Sequence, residues 1–378
     1  MRISVDIGHP GHVHFFKNFI WEMQEKGHHI LITTSDKDVA IALLYNYGLK
    51  YTSLGSYGDT PYKKMANLPI MDYKMYKALR DFGPDILVGL GSIRAAHVSA
   101  LMRKPCINFD DTEHAKVDHI LYAPMTEAIL TPLSFKKGFG TKHIRYDGYH
   151  ELAYLHPNRF SHDTPLPREL KIQTDDPIIT MRFASFKASH DNGTYGFSDG
   201  MKEHAVNQLK KYGRVIITSE GSLNASLERY RLRISPDKLH SILNHSILYL
   251  GDGGTTAIEA ALLGTPTVHC VRVAKKNHTL SASDIHGNFY ELQHNYKLLH
   301  SFTCQEEALE TAINLLNKKN IKDIWKEKRD RVLREKIDVT GFMMWFIEEY
   351  PDSFKQMQTQ PETQERFKSC SIPIKDTI

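Results

Sequence analysis

Short apolar runs return along this chain at intervals long enough to hold a helix, and that rhythm limits the fold more than any other feature. Ile3 to Ile7, Ile30 to Thr33, Ile86 to Leu90 and Cys106 to Phe109 form one series, and Ile178 to Met181, Val215 to Thr218, Ile247 to Leu250 and Thr267 to Val271 form another. Strands that read as continuous apolar runs are covered on both faces, which is what parallel sheets joined by helices provide. The expected class is therefore α/β with two sheets. A helix after the first strand is expected from Phe15, Phe16, Phe19, Ile20 and Met23, ending near Lys26 and Gly27, where glycine suits a C-cap. A length of 378 residues agrees with two cores. The 48 basic and 44 acidic residues nearly cancel, so without a local basic patch no nucleic-acid partner is expected.

The polar stretch from His156 to Pro167, with Pro157, Pro165 and Pro167, reads as a linker. It divides the chain into an N-terminal domain over 1–168 and a C-terminal domain over 169–338. An aromatic helix over 339–354 is expected to cross back to the first domain, followed by a polar, mobile tail over 355–378. Cys106, Cys270, Cys304 and Cys370 are too scattered for a zinc site or a disulfide framework, and no apolar run is long enough to span a bilayer. A cytoplasmic location is expected. The stretch Tyr57 to Lys77 mixes lysines with Met65, Ile70 and Tyr73, which reads as a plain solvated helix-loop-helix or, as the alternative, as a peripheral contact at the inner face of a membrane.

The richest local signal follows Leu250. Gly251, Asp252, Gly253, Gly254, Thr255 and Thr256 form a turn before an apolar helix that ends at Gly264-Thr265-Pro266. Glycines let backbone N–H groups approach a phosphate, and the helix N-terminus favours its charge. Glu259, one turn into the helix, could accept hydrogen bonds from ribose hydroxyls. A plain strand-to-helix turn with a solvated glutamate is the other reading of the same residues. In the first domain, the loop Gly8 to His14 carries His9, Gly11, His12 and His14 between a strand and a helix start. A histidine there can take a proton near neutral pH, and His12 is the first choice for that role. His9 and His14 could bind acceptor or phosphate, and His14 could instead pack against the helix. No nearby acid completes a metal ligand set, so no metal is expected. Asp110-Asp111-Thr112-Glu113-His114 follows a strand and places Asp111 and Glu113 at a sheet edge, as catalytic groups or as helix caps. Arg182, Ser185 and Lys187, after the first strand of the second series, carry charge and donors suited to a diphosphate.

Asp252-Gly253-Gly254 through Glu259, with Gly264 and Pro266 beyond, resembles the donor-site signature of GT-B glycosyltransferases, and its spacing is similar in UDP-GlcNAc 2-epimerases. The chain as a whole resembles a GT-B-like family of archaea and bacteria. That likeness rests on Asp6-Ile7 with His12-Val13, Asp110 to His114, Glu151 to Pro157, and Arg182 with Ser185 and Lys187. The resemblance implies two Rossmann-like domains facing a cleft, with the nucleotide-sugar donor held mainly by the second. It implies that Glu259 binds the ribose, that Gly253, Gly254, Thr255 and Thr256 meet the pyrophosphate, and that Ser219, Glu220, Leu239 and His240 lie near the base. His240 could equally be a core residue. Gly11-His12-Val13 is similar to the acceptor-side loop of the peptidoglycan transferase, whose histidine is a proposed base. Retaining members carry two glutamates eight positions apart around this helix; position 251 here is glycine and 267 is threonine, so inversion is expected. The implied activity is metal-independent transfer of a sugar to a glycan or lipid-linked acceptor in polysaccharide or glycoconjugate synthesis. The alternatives are a nucleotide-sugar 2-epimerase, whose Gly-Thr-Arg-Pro-Glu opening loop is absent, and a non-catalytic nucleotide-sugar-binding protein.

Overall fold

The computed structural model describes residues 1–36, 38–58, 60–162, 164–166, 170, 176–185, 193–275 and 278–368; for residues 38, 61, 62, 64 and 275 it describes the backbone alone. The chain divides into two compact units, Met1–Arg159 with Lys336–Ser369, and Phe160–Glu335. Each is a helix-flanked parallel sheet.

In the first unit β1 (Arg2–Ile7), β2 (His29–Thr34), β3 (Thr52–Ser53), β4 (Ile86–Leu90), β5 (Cys106–Phe109), β6 (Ala128–Pro132) and β7 (His143–Tyr146) form a seven-stranded sheet in the order β3-β2-β1-β4-β5-β6-β7. Every pairing in it is parallel. The helices are α1 (Pro10–Glu25), α2 (Asp38–Asn46), α3 (Pro61–Phe82), α4 (Ile93–Met102), α5 (Lys116–Tyr122) and α6 (Leu152–Leu155). Met71, Met75 and Leu79 of α3 pack with Leu87, Ala95, Cys106 and Ile129 over one side of the sheet. Phe15 and Phe16 of α1 meet Phe109 of β5. Strand order reverses at β1, with β2 on one side and β4 on the other, and ligands of open α/β sheets bind beyond the carboxyl ends of strands at such a point.

The second unit contains β8 (Ile178–Phe183), β9 (Thr194–Tyr195), β10 (Arg214–Ser219), β11 (Ser246–Gly251), β12 (Thr267–Cys270), β13 (Arg272–Lys275), β14 (His278–Leu280) and β15 (Leu299–Phe302). Five of them make a parallel sheet ordered β10-β8-β11-β12-β15, and β14-β13-β9 make a small antiparallel one. Its helices are α7 (Asp199–Leu209), α8 (Ala225–Glu228), α9 (Leu239–His245), α10 (Gly254–Leu262), α11 (Ala282–Ile285), α12 (Gly287–His294), α13 (Gln305–Leu316) and α14 (Ile321–Glu335). Here the order reverses at β8, between β10 and β11.

Two boundaries differ from the sequence expectation of 168/169 and 338/339. From Phe160 on, the proline-bearing stretch belongs to the second unit, its backbone tied to α9: Ser241 Oγ donates to the Pro165 carbonyl at 2.8 Å and Asn244 Nδ2 to that of His162 at 2.8 Å. The chain rejoins the first unit at Lys336. There α15 (Val339–Glu348) packs Phe342 against Tyr146, and Thr340 Oγ1 donates to the Ala153 carbonyl at 2.7 Å. The expectation of a mobile tail from residue 355 is corrected as far as Lys368. Asp352–Thr359 is helix α16, and Pro361–Phe367 is a 3-10 helix. Sparse anchors hold this segment where apolar periodicity is weak. Met357 is buried, the Phe367 ring meets Trp345, and Gln364 Oε1 accepts the Asp147 N–H at 2.7 Å. Residues 369–378 lie outside the described residues.

Candidate functional site

In the second unit the glycine turn sits at the point of strand reversal, and its shape follows from close backbone packing. Gly251 ends β11 opposite Arg182 of β8, and a Cβ on Gly251 would stand 2.4 Å from the Arg182 carbonyl oxygen. A Cβ on Gly253 would stand 2.7 Å from Arg182 Cγ. Only glycine lets the turn lie on β8 this closely. Asp252 latches it: Oδ1 accepts the Ala184 N–H at 2.6 Å and Oδ2 the Phe197 N–H at 3.0 Å. Burial pushes the Asp252 carboxyl up to about 6, against the two N–H donors that favour its ionised form. Gly253 is the N-cap of α10 in extended conformation and no side chain caps the helix. The first-turn N–H groups at Gly254, Thr255 and Thr256 therefore suit an anion. Thr255 is exposed and Thr256 buried. At the far end, Gly264 takes the left-handed conformation that stops the helix, and Lys326 Cα lies 3.4 Å from where its Cβ would be. That part of the motif is structural.

Around the turn the structure brings several expected residues together and separates others. Arg182 pairs with Glu220 at 2.6 Å, and the Ser185 N–H donates to the same carboxylate at 3.2 Å. Ser219 Oγ closes the 219–221 turn, accepting the Gly221 N–H at 3.3 Å. His240 Nε2 lies 3.0 Å from Glu259 Oε1, both side chains buried, so His240 is a paired histidine that orients the glutamate. Leu239 begins α9 beside it, half-buried. Lys187 lies outside the described residues. His269, at the end of β12, was not singled out by sequence. It is buried, and its ring lies 4.8 Å from that of Phe289. Burial drives its imidazole down to about 4. Phe289 in turn lies 3.8 Å from where a Cβ on Gly254 would stand, which brings this pair of rings up to the helix start.

In the first unit the loop after β1 opens α1. His9 is its N-cap, with Nδ1 accepting the Gly11 N–H at 3.2 Å, and the His12 ring lies 5.9 Å from that of His9. Gly8 donates its N–H to His12 Nδ1 at 3.2 Å. An amide can only donate, so neutral His12 holds its proton on Nε2. His14 does not join them. Two positions along a helix turn the side chain to another face, and His14 lies buried against Tyr154 with Tyr47 Oη 3.2 Å from Nδ1. This is the packing arrangement that the sequence left open for His14 beside an acceptor-side role. Behind the loop, the buried Asp6 carboxylate receives Arg94 Nη2 at 2.9 Å, Ser92 Oγ at 2.5 Å and Thr33 Oγ1 at 2.8 Å.

The acidic loop after β5 is held from both sides. Asp110 is buried, accepts the Thr112 N–H at 2.7 Å, and meets Tyr122 Oη and, at 3.0 Å, His119 Nε2. Lys137 Nζ lies 2.6 Å from His119 Nδ1 and can only donate, so the Nε2 proton faces Asp110. Asp111 is partly exposed; Thr112 Oγ1 donates to it at 3.0 Å and His150 Nδ1 lies 3.3 Å away. Glu113 is half-buried in the following turn. The capping alternative for Asp111 and Thr112 is not realised, because α5 starts at Lys116 with Ala115 at its N-cap. His119 and His150 were missed in sequence, since isolated histidines carry no spacing signal and each is defined only by its tertiary partner.

Comparison with known proteins agrees with this architecture. The uncharacterised protein MJ0665 of Methanocaldococcus jannaschii is 24% identical over 282 residues, covering 71% of this chain and 82% of that protein. The Neisseria meningitidis UDP-GlcNAc 2-epimerase bound to UDP-GlcNAc superposes with a TM-score of 0.57 at 14% identity, covering 86% of this chain and 94% of its own. The Streptomyces sp. SF2575 glycosyltransferase SsfS6 gives 0.56 at 13% identity, over 92% of this chain and 100% of its own. These two likenesses concern the fold, which is α/β with two Rossmann-like domains. A family model described as protein of unknown function (DUF354) matches residues 1–341, and the chain belongs to that family, whose fold neighbours are GT-B glycosyltransferases and UDP-GlcNAc 2-epimerases.

Proposed function

We propose that the protein is an inverting, metal-independent glycosyltransferase that moves a hexosyl group from a nucleotide-sugar, of the UDP-sugar type, to a glycan or lipid-linked acceptor in surface polysaccharide or glycoconjugate synthesis. The observation that carries this reading is the α10 N-terminus. It opens at a strand reversal, no side chain caps it, and glycines that cannot bear a Cβ hold it against β8. The diphosphate would sit on the N–H groups at Gly254, Thr255 and Thr256, with Arg182 and the hydroxyl of Ser185 as further donors. Glu259, fixed by His240, would accept from the ribose hydroxyls. Lys187 is proposed as an additional cation for the diphosphate, and Leu239 and Ser219 as neighbours of the base.

The acceptor hydroxyl must lose its proton as its oxygen attacks the anomeric carbon and the nucleoside diphosphate departs. His12 and Asp111 are the two candidates for that proton. With its Nδ1 taken by Gly8, His12 presents an N–H and suits donation to an acceptor or sugar oxygen, as does neighbouring His9. Asp111, oriented by His150 and Thr112, is the better proton acceptor, with Glu113 next to it in the loop.

Incubation with UDP-, GDP- and CMP-sugars, with and without acceptor glycans, tests the reading. Free nucleotide formed only with acceptor supports transfer; an epimerised sugar without acceptor assigns the protein to 2-epimerisation; binding without turnover makes it a binding protein. Under transfer conditions Asp111→Asn should lower kcat by about 100-fold or more. Full activity in that variant would overturn the assignment of Asp111.

A further inference from the structure

Among the described residues fifteen large apolar side chains are exposed, and seven of them lie on one helical layer of the first unit, α3, α4, α5 and the 3-10 turn Ala123–Met125. Tyr73 on α3 and Leu101 on α4 are each 66% exposed, and Ile120 on α5 is 72% exposed. The three helices that carry them are neighbours in one layer, tied at a single place. Asp72 Oδ2 lies 2.7 Å from His97 Nδ1, and the His97 ring also hydrogen-bonds the Leu121 backbone. Tyr73 adjoins Asp72, Ile120 adjoins Leu121, and Leu101 is one helical turn from His97. Ile70 and Val117, also exposed, extend the patch by one turn on each flank.

The charges on this layer are mostly positive. Lys63, Lys77, Arg103 and Lys116 are exposed and Lys104 is half-buried, against Asp118 and an Asp81 that is paired with Arg80. Patches of exposed apolar residues mark interaction sites. A second copy of this chain, docked about a two-fold axis, would set these basic groups against their own counterparts, a repulsive arrangement. An anionic bilayer surface takes the apolar side chains at the headgroup boundary and attracts the lysines and arginines around them. Among the described residues no helix is long and apolar enough to cross a membrane, so the contact would be with its surface.

We propose that the outer face of α3, α4 and α5 docks on anionic lipid headgroups. The proposal rests on this surface alone and not on the reaction assigned above, so either can fail without the other. Flotation with vesicles of phosphatidylcholine, and with vesicles containing about one third phosphatidylglycerol, measures it. Binding is expected to the anionic vesicles at low salt and to fall steeply as salt is raised. The double variant Tyr73→Glu/Ile120→Glu, whose exposed positions should leave thermal unfolding unchanged, is expected to bind at least tenfold more weakly. Lys77→Gln and Lys116→Gln should each cost about fivefold. No binding to anionic vesicles at low salt, equal binding to neutral ones, or undiminished binding by the double variant overturns the proposal. So does a dimer by light scattering that the double variant dissociates, because a second copy would then be the occupant.

Discussion

The two sheets meet the problem of building a site at their strand ends with opposite materials. The first unit uses side chains in pairs: Asp6 with Arg94, Asp110 with His119 and Tyr122, Asp111 with His150. The second uses backbone brought so close that a methyl group does not fit, at Gly251 and Gly253 against Arg182. Paired charges can be re-tuned residue by residue but leave a costly orphan when one partner is lost, whereas the close approach at Gly251 leaves no room for a side chain. Chemistry that moves a proton suits the first arrangement, and binding of an anion suits the second.

Asp6→Asn offers the sharpest break in this contrast. It leaves the Arg94 guanidinium buried without its counter-charge, and urea unfolding should report a loss of about 3–5 kcal/mol. A loss no larger than that of an ordinary surface change would mean that Ser92 and Thr33, not the ion pair, organise the loop. Gly251→Ala comes next. Its Cβ meets backbone, which cannot swing aside, so a loss of about 1–3 kcal/mol is expected together with weaker nucleotide binding. Gly254→Ala is the matched control: its nearest neighbours would be Phe289 carbons at 3.8 and 4.0 Å, and stability should change by less than about 0.5 kcal/mol. If both alanines cost the same, close approach is not what the turn requires.

The last contrast is one of pH. Asp252 is raised from 3.8 to about 6, so the fold holds its proton more tightly than the unfolded chain does, and this group makes stability fall as pH rises from about 4 to about 6. His269 is lowered from 6.5 to about 4, so the unfolded chain binds its proton first, and this group makes stability rise over the same interval. The two oppose each other in the parent protein. His269→Phe should unmask Asp252, so that Tm of the variant relative to the parent increases as pH falls from about 6 to about 4. A Tm difference that is independent of pH would show that burial does not suppress the charge of His269.

Much of this organisation was legible in the sequence because it depends on local order. All eight apolar runs coincide with strands, the last running one residue past β12, α1 spans the predicted periodic set, and the glycine turn stands where strand meets helix. What escaped depends on partners distant in sequence. For Glu259 the sequence leaves a ribose ligand and a solvated residue both open, and His240, nineteen positions earlier, is the distant partner that it does not show. His150 gains meaning only beside Asp111, and His119 only between Asp110 and Lys137. The proline-bearing stretch misled in another way. Its composition marks irregular backbone, yet irregular backbone can be fastened to a helix, as Pro165 is to Ser241. The segment beyond residue 355 failed similarly, because a few anchors at Met357, Gln364 and Phe367 hold a chain whose average composition is polar.

The return of the chain at Lys336 has a consequence for synthesis. The first unit is interrupted: residues 160–335 are made before the segment carrying Phe342 and Thr340 emerges to cover Tyr146 and the carbonyl of Ala153. On the ribosome the guest can close around its own sheet while its host still lacks α15, so the N-terminal half is the last to be finished. Translation halted after residue 335 would leave that aromatic face open, a natural target for chaperones and proteases.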